Sequence, residues 1–232
     1  MSESSQTNQV NTVTAERTIS AHALHHHFGD LDQQRESASL GMWVFLVTEI
    51  MFFGGMFTGY LVYRVAYPAA FRHGSEHMLF IAGTVNTALL ISASLFVALG
   101  LHAAQEGHRK KLVMFLLLAM FLGICFLAVK GYEYHDHWLE HKVPGSTFRY
   151  DGPDPRHVEM FFVMYFFLTG FHALHMLIGV GAVGIVAYFA WKGRYTPEYH
   201  NPVVNVGLYW HFVDIIWIFL YPLLYLISHK HA

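Results

Sequence analysis

Seven ionisable side chains lie where their surroundings make them chemically consequential: Glu49, Lys130, Glu133, His172, His175, His211 and Asp214. Each lies inside or at the end of a long apolar run, and an Asp or Lys at the centre of a helix facing lipid costs about 2.5–3.5 kcal/mol. They are therefore expected to face one another, or other polar groups, inside a helical assembly. Glu49 lies ~14 Å into the first run, as a carboxyl hydrogen-bonded inside a bundle or as a proton-handling or gating group. Lys130 and Glu133 are spaced i,i+3, which suits an ion pair on one helix face; at the end of the third run both could snorkel toward the interface. His172 and His175 repeat that spacing mid-run. A haem or metal pair is one chemistry for them, but a single haem takes its axial ligands from opposite sides of the iron. A di-iron bundle needs Glu-x-x-His on two helices, and no Glu-x-x-His falls inside a run, so hydrogen-bonded interior imidazoles are the favoured reading. His211 and Asp214 have the same spacing again, so the carboxylate could fix the imidazole tautomer. Glu49 is expected to hydrogen-bond His175.

The elements that must position these groups follow from composition. The chain has 232 residues, 54% hydrophobic and only 13% charged, where soluble domains carry about 25% charged residues. That excludes a soluble enzyme and a disordered scaffold. A net charge of −2 argues against a nucleic-acid partner, and the single cysteine, Cys125, excludes a disulfide framework. Five apolar runs, about 40–63, 78–101, 112–134, 160–191 and 206–227, are each long enough to cross a bilayer core of about 30 Å. Lipid cannot satisfy exposed backbone groups, so the runs are read as helices. The expectation is an all-α polytopic membrane protein, with five transmembrane helices in one bundle spanning 40–228. The fourth run, ~48 Å as helix, should tilt or project into water. Gly41, Gly54, Gly55 and Gly59 would allow close approach of helices or lipid to the first span.

Residues 1–39 read as a polar, solvated tail without a signal peptide's basic-then-apolar pattern; 229–232 form a short C-terminal tail. His22, His25, His26 and His27 belong to the first of these. With five spans the termini lie on opposite sides, and Lys and Arg are denser in the short connectors on the N-terminal side. This leans toward a cytoplasmic N-terminus and a periplasmic C-terminus. No phosphate-binding loop and no CxxCH occurs. A proton-coupled transporter would usually show inverted repeats or broken helices, and neither is visible.

The strings GMWVFLVTEIMFF (41–53), KGYEY (130–134), TGFHALHMLIG (169–179) and YWHFVDIIW (209–217) occur in one order. With Asn86-Thr87 and Glu106-Gly107-His108-Arg109-Lys110 between them, they resemble the five-helix core of subunit III of cytochrome c oxidase. The resemblance covers roughly Leu40 to Ile227 and is to the short bacterial form, without the first two helices of the mitochondrial one. It implies an accessory, non-redox subunit of a proton-pumping haem-copper oxidase in aerobic respiration, in the bacterial cytoplasmic membrane. Such a subunit has no catalytic residue and no metal of its own. The haems and copper are expected in subunits I and II, and phospholipid is bound by this chain. Its partners would be subunit I above all, then subunit II, with subunit IV or a supercomplex beyond, and no nucleic acid. The resemblance implies that Glu49 is the family's intramembrane carboxylate near a lipid cleft, supporting proton uptake and oxygen access, and that Glu133, His172, His175, His211 and Asp214 occupy its interior polar positions. Arg64, Arg109 and Arg194 are candidate lipid head-group contacts by charge and location. A quinol oxidase or a nitric-oxide-reductase-associated homologue is the alternative within the same group.

Overall fold

The computed structural model describes residues 31–197 and 199–226. The histidine cluster at 22–27, the rest of the tail before 31, and the C-terminal residues from 227 on lie outside the described residues. The chain divides into two units, one ending at Val47 and one beginning at Thr48, and every polar centre and cleft below lies in the second.

Six helices follow in order: α1 (Leu31–Ala66), α2 (Pro68–Glu76), α3 (Phe80–Gln105), α4 (Arg109–Leu139), α5 (Pro155–Trp191) and α6 (Asn201–Tyr225). All but α2 are long and apolar enough to cross a membrane, and no strand occurs among the described residues. The helices outrun the apolar runs: α1 begins at Leu31, in what reads as tail, and α5 at Pro155. Backbone hydrogen bonds continue into polar sequence until a cap or a proline intervenes, whereas hydropathy marks only the lipid-contacting stretch. Pro68 and Pro155 stand in the first turns of α2 and α5, where a missing N–H costs nothing. At the far ends of α3 and α5, Gly107 (φ 74°) and Gly193 (φ 77°) take the left-handed conformation and close the helices. The amides of His108 and Arg194 return to the carbonyls of Ala103 and Phe189 at 2.9 and 3.1 Å.

Helices α3, α4, α5 and α6 form a closed ring in which each packs on its two neighbours. Small residues let the backbones approach. At Gly123 on α4 a methyl group would sit 2.7 Å from the Trp210 ring of α6. The outward faces stay apolar, with Ile81, Leu95, Phe121 and Ile185 all more than half exposed, so the helices are hydrophobic all round, as lipid requires. The α1 segment from Thr48 leans on this ring through side chains. Phe53 meets Phe212 and His175, and Phe57 meets Phe219. A methyl on Gly54, Gly55 or Gly59 would meet nothing within 4 Å, so among the described residues no helix is seated on these glycines.

Helix α2 is the element that hydropathy misses. Its Ala70, Phe71, Gly74 and Ser75 are buried against α5 and α6, and a methyl on Gly74 would collide with the Phe161 ring at 2.3 Å. Ser75 donates to the Leu224 carbonyl at 2.9 Å and Tyr60 to that of Leu223, satisfying two of the carbonyls that the end of α6 leaves without helical partners.

Beyond the membrane-spanning segments, Lys142 ties the α4–α5 loop to the α2–α3 junction, donating to His77 Nδ1 at 2.8 Å and to the Glu140 carboxylate. His77 can accept only while neutral. Burial and the Lys142 ammonium lower its pKa below the usual value, against the opposing pull of Glu140 and Glu76, with His73 adding a little to the lowering. A depressed histidine pKa means that the latch is fully stable above the unfolded value near 6.5 and weakens as pH falls through the lower folded value. Amide exchange in 140–150, corrected for intrinsic rates, should therefore quicken several-fold between about pH 7 and pH 5. His77→Phe should remove that dependence. Equal protection at both pH values in the unaltered chain would exclude His77 as the latch.

Candidate functional site

Three polar centres lie between the helices. The first joins α1 to α5. His175 Nε2 lies 3.1 Å from Glu49 Oε2, and Nδ1 lies 2.7 Å from the Phe171 carbonyl, so the expected Glu49–His175 contact is present. A carbonyl only accepts, so Nδ1 carries a hydrogen. Nε2 faces the Glu49 carboxyl oxygen within hydrogen-bonding distance. Phe53 covers the imidazole edge-on at 5.1 Å, and the side chains are 18% and 12% exposed, so the pair is shielded without being sealed.

The second centre joins α4, α5 and α6. Lys130 Nζ donates to Glu133 Oε2 and to the Tyr165 hydroxyl, each at 3.0 Å, and contacts the Tyr225 hydroxyl. Both hydroxyls donate to Glu133 Oε1, at 2.8 and 2.6 Å. The ion pair expected from the i,i+3 spacing exists, but it does not snorkel: Lys130 is 2% exposed and Glu133 0%. Neighbouring helices supply tyrosine hydroxyls at that depth, so the ammonium is satisfied without reaching water. His137, one turn further along, is fully buried with its Nε2 4.0 Å from Glu133, too far for a hydrogen bond.

The third centre lies between α3 and α6, and here two expectations change. His211 Nδ1 pairs with the Ser94 hydroxyl of α3 rather than with Asp214. Neither Asp214 carboxyl oxygen has a partner in hydrogen-bonding geometry, and the Trp210 indole nitrogen is likewise buried without one. His172 lies in the interior as expected, but neither ring nitrogen has a hydrogen-bond partner among the described protein groups. It lies against Trp217 at 5.2 Å and Phe126 at 5.6 Å between ring centroids, so aromatic packing holds it.

The three arginines do not converge. Arg64 borders an apolar cleft of about 990 Å³ between α1 and α6, lined by Phe53, Phe57, Phe212 and Phe219 among others. Arg109 and Arg194 belong to the other end of the bundle, where Arg109 donates to the Ala190 carbonyl at 3.1 Å and Arg194 stacks on Phe189. Tyr165, Tyr225, His137 and Ser94 escape sequence reasoning. A tyrosine in an apolar span reads as core or interface anchor, and no spacing within one helix reports a partner on another. Among the described residues no group of three or more His, Cys, Asp or Glu side chains could hold a metal ion.

Comparison with known proteins places this arrangement. The family model for cytochrome c oxidase subunit III matches residues 13–229. The chain is similar to cytochrome c oxidase subunit 3 of Thermostichus vulcanus, 33% identical over 82% of this chain and 87% of that one. It is also similar to that of Corynebacterium diphtheriae, 34% identical over 82% and 88%. A more distant relative is the subunit 3 of Dugong dugon, 28% identical over 80% of this chain and 67% of its own length. A five-span helical chain matched over nearly its whole length in this way belongs to the cytochrome c oxidase subunit III family.

Proposed function

We propose that this chain is the accessory, non-redox subunit of a proton-pumping cytochrome c oxidase in a bacterial cytoplasmic membrane. It packs beside subunit I, with subunit II in the same complex, and its N-terminus faces the cytoplasm. The haems and copper belong to subunits I and II, and this chain binds phospholipid. The observation that carries the reading is the Glu49–His175 pair beside the apolar cleft. A largely buried carboxyl–imidazole pair that joins α1 to α5 is suited to exchange a proton locally, beside the cleft, without passing it through the bundle. The cleft, apolar along its walls with Arg64 at its border, fits acyl chains ending in an anionic head group. Packing against subunit I and supporting its proton uptake and oxygen access follow on this reading.

Glu49→Ala in the purified oxidase tests it. Initial oxygen consumption should stay within about twofold, because no obligatory step runs through this chain, a change below 1 kcal/mol in barrier. The lifetime under sustained turnover should shorten several-fold, and labelling of α1 by a hydrophobic carbodiimide should vanish. Loss of the first turnover would place Glu49 on an obligatory proton path and overturn the reading.

A further inference from the structure

A second cleft, independent of the Glu49 pair, opens between α3 and α6. Its volume is about 480 Å³, room for on the order of sixteen water-sized groups at ~30 Å³ each. Leu90, Ala98, Ile91, Leu95, Ile215 and Ile218 line it, and the last four are at least half exposed on the outer surface, so it opens toward the acyl chains of the bilayer. Its polar wall holds Asp214, Ser94 and His211. Ser94 and His211 are already paired, whereas Asp214 is 6% exposed and both its carboxyl oxygens lack a partner. A buried carboxyl without hydrogen bonds is costly, and no Lys or Arg lines the cleft.

Depth restricts what can reach it. Asp214 stands ~20 Å along α6 from Asn201 and ~17 Å from Tyr225, near the middle of a membrane core about 30 Å thick. A phospholipid head cannot descend that far at reasonable cost, nor can any free ion. A neutral hydroxyl on an apolar body can. It donates to a carboxylate and both donates to and accepts from a carboxylic acid, so it satisfies Asp214 in either state.

We propose that the α3–α6 cleft binds a neutral, hydroxyl-bearing apolar molecule of the membrane, a long-chain or isoprenoid alcohol or a prenylated hydroquinone, with its hydroxyl on the Asp214 carboxyl. The test uses the intact oxidase in lipid nanodiscs and a palmityl alcohol carrying a diazirine beside its hydroxyl. Photolysis should label segments 90–98 and 211–218, saturably. Asp214→Leu should reduce that label about tenfold, the scale of one hydrogen bond to a buried group, while Asp214→Asn should hold it within a few-fold. The methyl ether of the same probe should fail on the unaltered complex, which keeps the proposal testable if Asp214→Leu does not assemble. Competition by unlabelled prenyl alcohol against prenylated hydroquinone distinguishes the two sources. Uniform label over all lipid-facing helices, equal label from the ether, or no label because another subunit covers the cleft would each overturn the proposal. None of these outcomes bears on Glu49.

Discussion

Glu133→Leu is expected to cost about 3–5 kcal/mol of subunit stability, because it leaves the Lys130 ammonium buried without its carboxylate. The ammonium is 2% exposed, its carboxylate partner is 3.0 Å away, and its other contacts are the Tyr165 and Tyr225 hydroxyls. Each of those hydroxyls also loses the acceptor it now uses. Three helices meet at this point, so the loss should appear as release of the subunit from the detergent-solubilised complex at lower temperature. Lys130→Met should cost a similar amount for the mirror-image reason, an uncompensated buried carboxylate. The double variant should cost clearly less than the two single losses added, since neither charge then remains. Strictly additive losses would mean that the two groups are solvated separately and that the network does not exist.

Trp217→Ala should cost about 3–5 kcal/mol, the range for truncating a large buried aromatic. Trp217 is 0% exposed and meets Phe126 edge-on at 4.9 Å and His172 at 5.2 Å, while its Nε1 donates to the Thr87 hydroxyl at 3.1 Å. It therefore joins α3, α4, α5 and α6 at one level of the ring. Trp217→Phe keeps most of the contact and loses the hydrogen bond, so its cost should fall to about 1–2 kcal/mol. Denaturant titration of the complex, followed by subunit dissociation, measures both. A loss below 1 kcal/mol for the alanine variant would show that the neighbouring rings close the cavity.

Legibility divided along a physical line. Spans were readable because partition into lipid depends on local composition, and α2 was not because a short amphipathic helix outside the lipid leaves no hydropathy signal. Lys130 with Glu133 was readable as a pair because both lie on one helix, at a spacing set by 3.6 residues per turn. The same spacing misled at His211 and Asp214, where a residue of α3 claimed the imidazole. His172 shows the converse: polarity suggested a hydrogen-bonded group, and packing between Trp217 and Phe126 gave it an aromatic site instead.

The sequence by itself determined that the chain is a five-span helical membrane protein and, through a few ionisable residues in order, its family. Those properties are additive along the chain or local to one helix turn. Only the tertiary structure decided that Lys130 stays inside among tyrosines, that Glu49 of α1 meets His175 of α5, and that Asp214 lines a lipid-side cleft without a hydrogen-bond partner. Each depends on how helices rotate about their axes and which neighbour they meet. That is set by the summed packing of small and aromatic residues across the ring, which spacing within one helix does not encode.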